Sequence, residues 1–410
     1  MKVNITRIIK RINKIAEYGI DETGGWSRYS FSDADIEVKR IVSEWAKELG
    51  MFVRTDQAGN WIAHLNGINN DLPPVAMGSH LDTVKNGGKY DGVYGVMSAL
   101  EVINVLKENN YVPKSPIEII AFAEEEGSGF GASLFGSKAM AGVAADFYIK
   151  KRNDEGLSLG DAMKKVGCDP NTYKMAMRER GSIKNYVELH IEQGRILESS
   201  NKSIGVVQGI VGFKWAKMII SGRADHAGAT PMGMREDTMI AAGIIATETE
   251  RIANEIGNPL VATVGKIMLK PNSINIVPGE AEVYFDIRDI SSDNIDRFVE
   301  MINISAKKIC NARDLTYKYE ELANAAPVSL SNRVVDIVEE SAGKCGYSSM
   351  RMYSGAGHDA QLMSLISDAG MIFVPSKNGI SHAPQEYTSD NDLEKGANVL
   401  LNTVLKLADI

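Results

Sequence analysis

The sequence of 410 residues predicts an α/β fold with a mostly parallel sheet, interrupted by a smaller α+β segment. Between residue 74 and about 150, short apolar strands alternate with a helix, and the apolar run 117–123 is typical of a strand buried on both faces. The middle of the chain reads strand, helix, strand, strand, helix, strand, which is the order of a ferredoxin-like unit. The α/β pattern resumes after about 327, so the smaller unit is predicted to be an insertion.

The individual elements follow from hydrophobic periodicity. In the larger unit we predict strands at 75–77, 117–123, 186–191 and 371–374, and a helix at 93–107. In the inserted unit we predict strands at 213–221, 260–268, 281–287 and 315–321, and helices at 235–256 and 292–310. The predicted domains are therefore a first part at 1–211, an insertion at 212–326 and a second part at 327–410.

Composition and charge limit the classes of partner. The net charge of −8 disfavours nonspecific nucleic-acid binding, and no apolar stretch approaches the length of a membrane span. The three cysteines are far apart in sequence, which favours neither a disulfide framework nor a thiolate metal site. We expect a cytoplasmic protein that acts on a small molecule, without nucleic acid or membrane as partner.

A dense group of possible metal ligands follows the strand at 75–77. His80 and Asp82 lie two residues apart, and Asp91 comes nine residues later in a glycine-rich turn. Imidazole and carboxylate are ligands of zinc and similar divalent ions, and the carboxylate of Asp82 can hold the second ring nitrogen of a ligating His80. Taken alone, Asp91 is typical of a helix N-cap. With His80 close by, a metal-bridging role is the better hypothesis.

Three consecutive glutamates, 124–126, close the buried strand at 117–123. Adjacent negative charges repel one another there unless a cation compensates them. Because neighbouring strand residues point in different directions, one glutamate can bind metal while the next faces substrate. The glycines at 127 and 129 with Ala132 match a dinucleotide-binding pattern. We reject that interpretation because the glutamates would repel a pyrophosphate.

Seven motifs occur in an order that resembles a known family. They are GSHLDTVKNGGKYDG, AEEEGSGFGASLFGSKAMAG, ELHIEQG, ADHAGATPMGMREDT, NSINIVPGE, SGAGHDA and GISHAPQE. Together they resemble the N-carbamoyl-L-amino acid hydrolase and allantoate amidohydrolase group of the M20-type di-zinc hydrolases, from about residue 20 to the C-terminus. The resemblance implies a di-metal hydrolase domain that carries an inserted lid and dimerisation domain.

The resemblance also implies two divalent metal ions per subunit, with zinc as first choice and manganese, cobalt or nickel as alternatives. The implied ligands are His80, Asp91, His190, Glu126 and His382, with Asp91 shared between the metals. Glu125 would be the general base that takes a proton from water. Asp82 would orient His80.

Further residues are implied by the same motifs to contact the substrate. His226, in the insertion, matches the group that stabilises a tetrahedral oxyanion. The residues implied to line the substrate pocket are Gln193, Asn275, Arg288, Gly357 and His358, of which Asn275 and Arg288 would hold a carboxylate. A homodimer formed through the lid is implied as well.

The reaction implied is hydrolysis of a linear C–N bond in a carbamoyl or ureido compound. N-carbamoyl-L-amino acids are the first choice because the segment 130–142 resembles the carbamoylases more closely. Allantoate is second and β-ureidopropionate third. An M20 aminopeptidase is less favoured, since such enzymes usually have a carboxylate in place of His190. An inactive metal-binding scaffold is the non-enzymatic alternative, and the intact Glu125 argues against it.

Overall fold

The computed structural model describes residues 1–410. The chain divides into two compact units, one formed by Met1–Gln208 with Ser329–Ile410 and the other by Gly209–Val328. The second unit begins three residues before the predicted insertion and ends two residues after it. None of the helices has the length and apolar character needed to cross a membrane.

The secondary structure is given in chain order. The strands are β1 (Phe52–Thr55), β2 (Trp61–Leu65), β3 (Val75–His80), β4 (Ile117–Phe122), β5 (Asn185–Ile191), β6 (Ile204–Ile210), β7 (Gly212–Ser221), β8 (Asp225–His226), β9 (Val261–Lys270), β10 (Ile276–Val277), β11 (Glu280–Asp289), β12 (Thr316–Ala325), β13 (Val328–Ser329), β14 (Ser349–Ser354) and β15 (Asp368–Val374). The α-helices are α1 (Ile5–Ile15), α2 (Asp33–Glu48), α3 (Val93–Glu108), α4 (Phe135–Met140), α5 (Leu159–Lys165), α6 (Ile196–Ser199), α7 (Thr238–Ile256), α8 (Ser292–Asn311), α9 (Asn332–Lys344), α10 (Asp359–Met363) and α11 (Asp390–Asp409). Short 3-10 turns lie at Tyr148–Lys150, Tyr173–Ala176, Met232–Met234 and Lys377–Gly379.

The large sheet has the strand order β1-β2-β4-β3-β5-β15-β6-β13, with β14 beside β6. The four central strands β4, β3, β5 and β15 run parallel, and antiparallel strands flank them on both sides. Every residue of β3, β4 and β5 is buried, as expected for strands covered on both faces. The predicted α/β fold with a mostly parallel central sheet is confirmed.

This topology brings four loops to one edge of the sheet. Strand β3 ends at His80, the glutamates 124–126 follow β4, His190 lies near the end of β5, and the loop carrying His382 follows β15. Because parallel strands that are neighbours have their carboxyl ends on the same side, these residues approach one another. The fold therefore assembles a site from segments that are far apart in sequence.

The second unit has an antiparallel sheet in the order β12-β7-β11-β9. Together with α7 and α8 this is the strand order of a ferredoxin-like unit. Its core contains residues of both helices and of one face of the sheet, among them Met218, Val283, Ile245 and Phe298. Helix α7 begins at Thr238, later than predicted, because the Asp237 side chain accepts hydrogen bonds from the N–H groups of residues 239 and 240 and caps the helix.

Candidate metal centre

Imidazoles and carboxylates converge at the carboxyl edge of the parallel strands. His80, Asp91 and His190 form one group, and Asp91, Glu126 and His382 form another, with the ligand atoms of each group within 4.8 Å of one another. Asp91 belongs to both groups, as the sequence resemblance implies for a bridging ligand. The structure therefore brings together all five residues predicted to bind metal.

The two oxygens of Asp91 face different histidines. Its Oδ1 lies 3.0 Å from Nε2 of His190 and 3.4 Å from Nε2 of His80. Its Oδ2 lies 3.3 Å from Nε2 of His382, which in turn is 3.6 Å from Oε1 of Glu126. The carboxylate thus stands between the two groups and offers one oxygen to each.

The tautomers of two rings show that this donor set fits a cation. Nδ1 of His80 is 2.9 Å from the main-chain carbonyl of Asp82, and Nδ1 of His190 is 2.8 Å from that of Ile191. A carbonyl only accepts, so both Nδ1 atoms carry the proton, and in the neutral rings each Nε2 has its lone pair on the side of Asp91, where that of His190 also accepts from the N–H of Gly92 at 3.2 Å. Lone pairs facing a carboxylate repel it unless a cation or a proton lies between them. Oε1 of Glu126 is also buried without a hydrogen-bond partner.

Titration behaviour leads to the same conclusion. Burial lowers the pKa of His80, but the charge of Glu125, the hydrogen bond to Asp91 and the charge of Asp82 outweigh it and hold the pKa well above its ordinary value. The hydrogen bond to Asp91 raises the pKa of His382 to about 9. Burial, followed by the charge of Asp91, raises the pKa of Glu126 to about 7. Groups that attract protons this strongly would hold a divalent cation instead of the protons.

Asp82 acts through different atoms from those predicted. Its carboxylate Oδ1 is 3.8 Å from Nδ1 of His80, whereas its main-chain carbonyl accepts from that nitrogen at 2.9 Å. The prediction that the carboxylate orients the imidazole is therefore corrected, since the main chain does so. The carboxylate instead accepts from the N–H groups of Glu125 at 3.4 Å and Glu126 at 3.2 Å. It ties the loop after β4 to the loop after β3.

The three glutamates point in different directions, as expected at a strand end. Glu124 has a left-handed φ of 55° and is fully buried, and its Oε1 accepts from the N–H of Phe130 at 2.7 Å, away from the cluster. Glu125 faces the cluster, with Oε2 3.7 Å from Nε2 of His80. Burial, together with the charges of Glu126 and Asp359, raises its pKa well above the ordinary value.

Residues missed by the sequence analysis support Asp91. Oε1 of Glu386 accepts from the N–H groups of Tyr90 at 2.9 Å and Asp91 at 3.1 Å. Oγ of Ser381 lies 2.7 Å from Glu386 and 3.1 Å from Asp91, so its single proton can be donated to either carboxylate. Both residues lie beside His382 in the motif GISHAPQE, and that proximity was the available signal. They fix the turn that presents the shared carboxylate.

Glu188, also missed, lies fully buried on β5 behind the cluster. Its carboxylate accepts from the hydroxyl of Ser79 at 2.7 Å and from the N–H of Ala360 at 2.8 Å. These bonds join β5 to β3 and to the start of α10. In the sequence, the only signal was that Glu188 lies two residues before His190, on the same face of the strand. That position does not predict which groups the buried carboxylate would contact.

Two predicted pocket residues of the first unit have different environments. Nε2 of Gln193 donates to Asp91 at 2.7 Å and lies 3.2 Å from Nε2 of His382, so this residue is at the centre. His358 is only 2% exposed, its ring packs 4.7 Å from that of His190, and its Nε2 is 2.9 Å from the Ser354 hydroxyl. The substrate contact of His358 stays a prediction. Gly357, beside it, is exposed.

In the second unit, His226 and Asn275 are neighbours. Strand β8 pairs with β10, and the main-chain N–H of Ala227 donates to the carbonyl of Asn275 at 3.0 Å. Nδ1 of His226 accepts from the N–H groups of Gly228 and Ala229, both at 3.1 Å, so a neutral ring carries its proton on Nε2. The exposed Nε2–H is a donor of the kind an oxyanion needs.

Arg288 lies elsewhere in the same unit. It pairs with Asp286 at 2.9 Å near the far end of β11, whereas β10 lies just before the start of that strand. At the rise of a β-strand, the eight residue-to-residue steps from Glu280 to Arg288 span roughly 26 Å. The structure therefore does not bring Arg288 together with His226 and Asn275 within one copy of this unit.

Comparison with known proteins identifies the class. The chain belongs to Peptidase family M20/M25/M40, whose profile matches residues 76–406. It is a hydrolase of C–N amide bonds, and both the family and the convergent cluster support binding of divalent metal.

Individual relatives with similar sequences and structures carry more specific names within this family. The chain is 40% identical over 402 residues to N-carbamoyl-L-amino acid amidohydrolase of Geobacillus stearothermophilus, covering 98% of both chains. It is 36% identical over 398 residues to allantoate amidohydrolase of Bacillus subtilis, covering 97% of this chain and 96% of that one. The structure of an amidase of the hydantoinase/carbamoylase family from Burkholderia multivorans matches with a TM-score of 0.94 at 32% identity, covering 99% and 98%.

Proposed function

We propose that this protein hydrolyses the carbamoyl group of N-carbamoyl-L-amino acids to give the L-amino acid, ammonia and CO2. The observation that carries the proposal is the shared Asp91 between two groups of ligands, with the buried Glu125 beside them. Relatives named for this reaction support the choice of substrate. Allantoate is the second candidate, because relatives named for it are similar over nearly the same length.

The proposed cofactor is a pair of divalent ions, with zinc as first choice and manganese, cobalt or nickel as alternatives. His80, Asp91 and His190 would hold one ion, and Asp91, Glu126 and His382 the other. Ions bound there supply Lewis acidity, which polarises the scissile carbonyl and makes water more acidic.

Glu125 is the proposed general base. Its carboxylate accepts a proton from the water that attacks the carbamoyl carbon, and passes the proton to the nitrogen when the C–N bond breaks. Its position suits both steps, because the side chain faces the cluster and the Asp82 carboxylate accepts from the N–H of Glu125, which holds the backbone of this residue in place. Gln193 lies where it can contact a substrate at the same centre.

The insertion is the proposed lid and dimerisation domain. His226 would donate its Nε2–H to the oxyanion, and Asn275 and Arg288 would hold the substrate carboxylate. Since Arg288 lies roughly 26 Å along β11 from the end near His226 and Asn275, one small substrate cannot contact all three residues of a single chain. In a homodimer, one chain can supply His226 and Asn275 to a site while the other chain supplies Arg288 to the same site.

The test is an ammonia-release assay with N-carbamoyl-L-methionine, allantoate and β-ureidopropionate, using metal-stripped enzyme as control. We expect the highest kcat/KM for the first compound and no turnover without metal. The Glu125→Gln variant should retain metal and lose about 10²–10⁴-fold in kcat, the usual contribution of a general base.

Glu124→Gln is the matched control, because burial raises the pKa of Glu124 to about 8 and the side chain points away from the cluster. It should stay within about tenfold of wild type, less than the loss of a general base causes. Absence of turnover on every compound, or ammonia release that is unaffected in Glu125→Gln, would contradict the proposed function.

A further inference from the structure

Arg28 is an arginine that is only 1% exposed, and its side-chain partners are main-chain carbonyls rather than carboxylates. Its Nε donates to the carbonyl of Leu81 at 2.7 Å, and its Nη1 donates to those of Tyr18 at 2.9 Å and Ile15 at 3.3 Å. Burial lowers its pKa to about 10, so the group is still charged at neutral pH. Burying a charged group costs free energy, so the position of this arginine calls for a structural role of its contacts.

The contacts of Arg28 enclose Asp82 from both sides. The guanidinium holds the carbonyl of Leu81, the residue before Asp82. The main-chain N–H of Arg28 donates to the hydroxyl of Thr83 at 2.9 Å, and the N–H of Thr83 donates back to the carbonyl of Arg28 at 2.9 Å. Both peptide groups that flank Asp82 are therefore fixed by one residue.

Asp82 in turn sets three members of the candidate centre. Its carbonyl orients the His80 ring, and its carboxylate accepts from the N–H groups of Glu125 and Glu126. If the two peptide groups that flank Asp82 were released, a shift of this residue would move its carbonyl and its carboxylate together. It would displace two proposed metal ligands and the proposed base at once.

The other side of the guanidinium is anchored on the C-terminal end of α1. Ile15 is the last residue of that helix, and Tyr18 follows shortly after it. Helix C-terminal carbonyls are short of donors and carry the negative end of the helix dipole, so they suit a cation. Arg28 thus joins the N-terminal helix to the loop that follows β3.

We propose that Arg28 is a positioning residue of the metal centre, acting through Leu81 and Asp82 on His80, Glu125 and Glu126. A planar guanidinium, with several donors in a fixed fork, can hold these three carbonyl groups at once, which a lysine ammonium does with less geometric definition. The inference rests on the proposed function only in taking the cluster to be a metal centre. No substrate is needed to test it.

The test compares zinc affinity, measured by competition with a chelating dye, in wild type, Arg28→Met and Arg28→Lys. We expect Arg28→Met to weaken zinc binding and lower kcat by about 10–100-fold, as for other residues that orient metal ligands. KM should change by less than about twofold, because the substrate contacts are intact. Arg28→Lys should lie between wild type and Arg28→Met.

Arg178→Met is the matched control. Arg178 is also largely buried, with a side chain 15% exposed, and pairs with the buried Glu118 on β4 without contacting the cluster. We expect this variant to lower the Tm of the metal-free protein and to keep the zinc affinity of wild type.

Wild-type zinc affinity in both Arg28 variants would overturn the inference. An equal loss of affinity in Arg178→Met would also overturn it, because the effect would then be general destabilisation. If Arg28→Met does not fold, Arg28→Lys decides by the same measurement. A wild-type enzyme that binds zinc but turns over no ureido compound would contradict only the proposed function.

Discussion

Asp91 shows at the scale of a single residue how a common turn residue becomes the central group of a site. Asp91 precedes α3, where an aspartate often caps the helix. Here the cap position is taken by Gly92, which has no side chain, and the Asp91 carboxylate faces three imidazoles instead. Burial raises its pKa, but the contacts with His190, His382 and His80 outweigh burial and hold the pKa well below the ordinary value. The carboxylate is therefore ionised and available to a cation.

His382 provides a test of whether two ions bind. Its imidazole belongs only to the group with Asp91 and Glu126, so His382→Ala should leave the other group complete. We expect bound zinc to fall from two ions per chain to one under conditions that saturate wild type, measured by elemental analysis after gel filtration. Loss of a residue that binds the ion directly should lower the affinity for that ion by more than the roughly 10–100-fold seen when a residue that only orients a ligand is changed.

His64→Ala is the control for this substitution. His64 lies on β2 and contacts Glu118 at 3.4 Å, outside both groups of ligands. It should retain both ions. Two ions bound to His382→Ala with wild-type affinity would show that this histidine is not a ligand.

At the scale of an element, the junction between Asp91 and α3 depends on a glycine. Gly92 has a left-handed φ of 65°, and a Cβ placed there would lie 2.4 Å from Cε1 and Nδ1 of His80. Only a residue without a side chain allows the start of α3 to approach the imidazole this closely. The helix and the ligand at the end of β3 are thus positioned by the same contact.

Gly92→Ala should therefore impair the centre as well as the backbone. We expect the added methyl group to displace the His80 ring and weaken zinc binding by roughly tenfold or more, by analogy with other changes that disturb ligand orientation. Dye competition measures this, and thermal unfolding measures stability.

Gly181→Ala separates the two effects. Gly181 has a φ of 87°, but nothing lies within 4 Å of a Cβ there. It should lose about 1 kcal/mol of stability from backbone strain and keep its zinc affinity. Equal zinc affinities for the two variants would argue against a steric role of Gly92.

At the scale of the whole molecule, the insertion has the properties of an independent unit. It has its own core, and its two ends meet, since Phe213 near the start of β7 pairs with Ala325 at the end of β12. A unit with adjacent ends can be inserted in a surface loop of another domain without disturbing the core of either. The second part of the chain differs, because β15 pairs with β5 and β6, and α11 packs against α3.

We therefore expect the segment 209–328, expressed alone, to fold cooperatively. Circular dichroism should show mixed α and β structure with a single thermal transition, because its hydrophobic core lies within the segment. The segment 329–410 should remain unfolded, since the strands that pair with β15 are missing. A disordered 209–328 segment would show that the insertion depends on the rest of the chain.

Much of this arrangement could be predicted from sequence because it depends on local pattern. Apolar runs identified the central strands, alternation identified β11, and the placement of His80, Glu126 and His190 at strand ends identified a site. The contacts of Arg28 and Glu386 could not be predicted in this way, because a buried charged residue leaves no periodicity that reveals its partner. The pocket role of His358 stays a prediction, because a motif records residue type and not burial.

By itself, the sequence determined the α/β and ferredoxin-like patterns, the ligand types and the family resemblance, all of which are encoded in residue order. The tertiary structure decided which atoms meet. The N–H of Tyr90 reaches the Glu386 carboxylate across 296 positions, and the Asp82 carbonyl rather than its carboxylate orients His80. Such contacts depend on the packing of strands and loops distant in sequence, because hydrogen bonds require a defined distance and direction that no local pattern specifies.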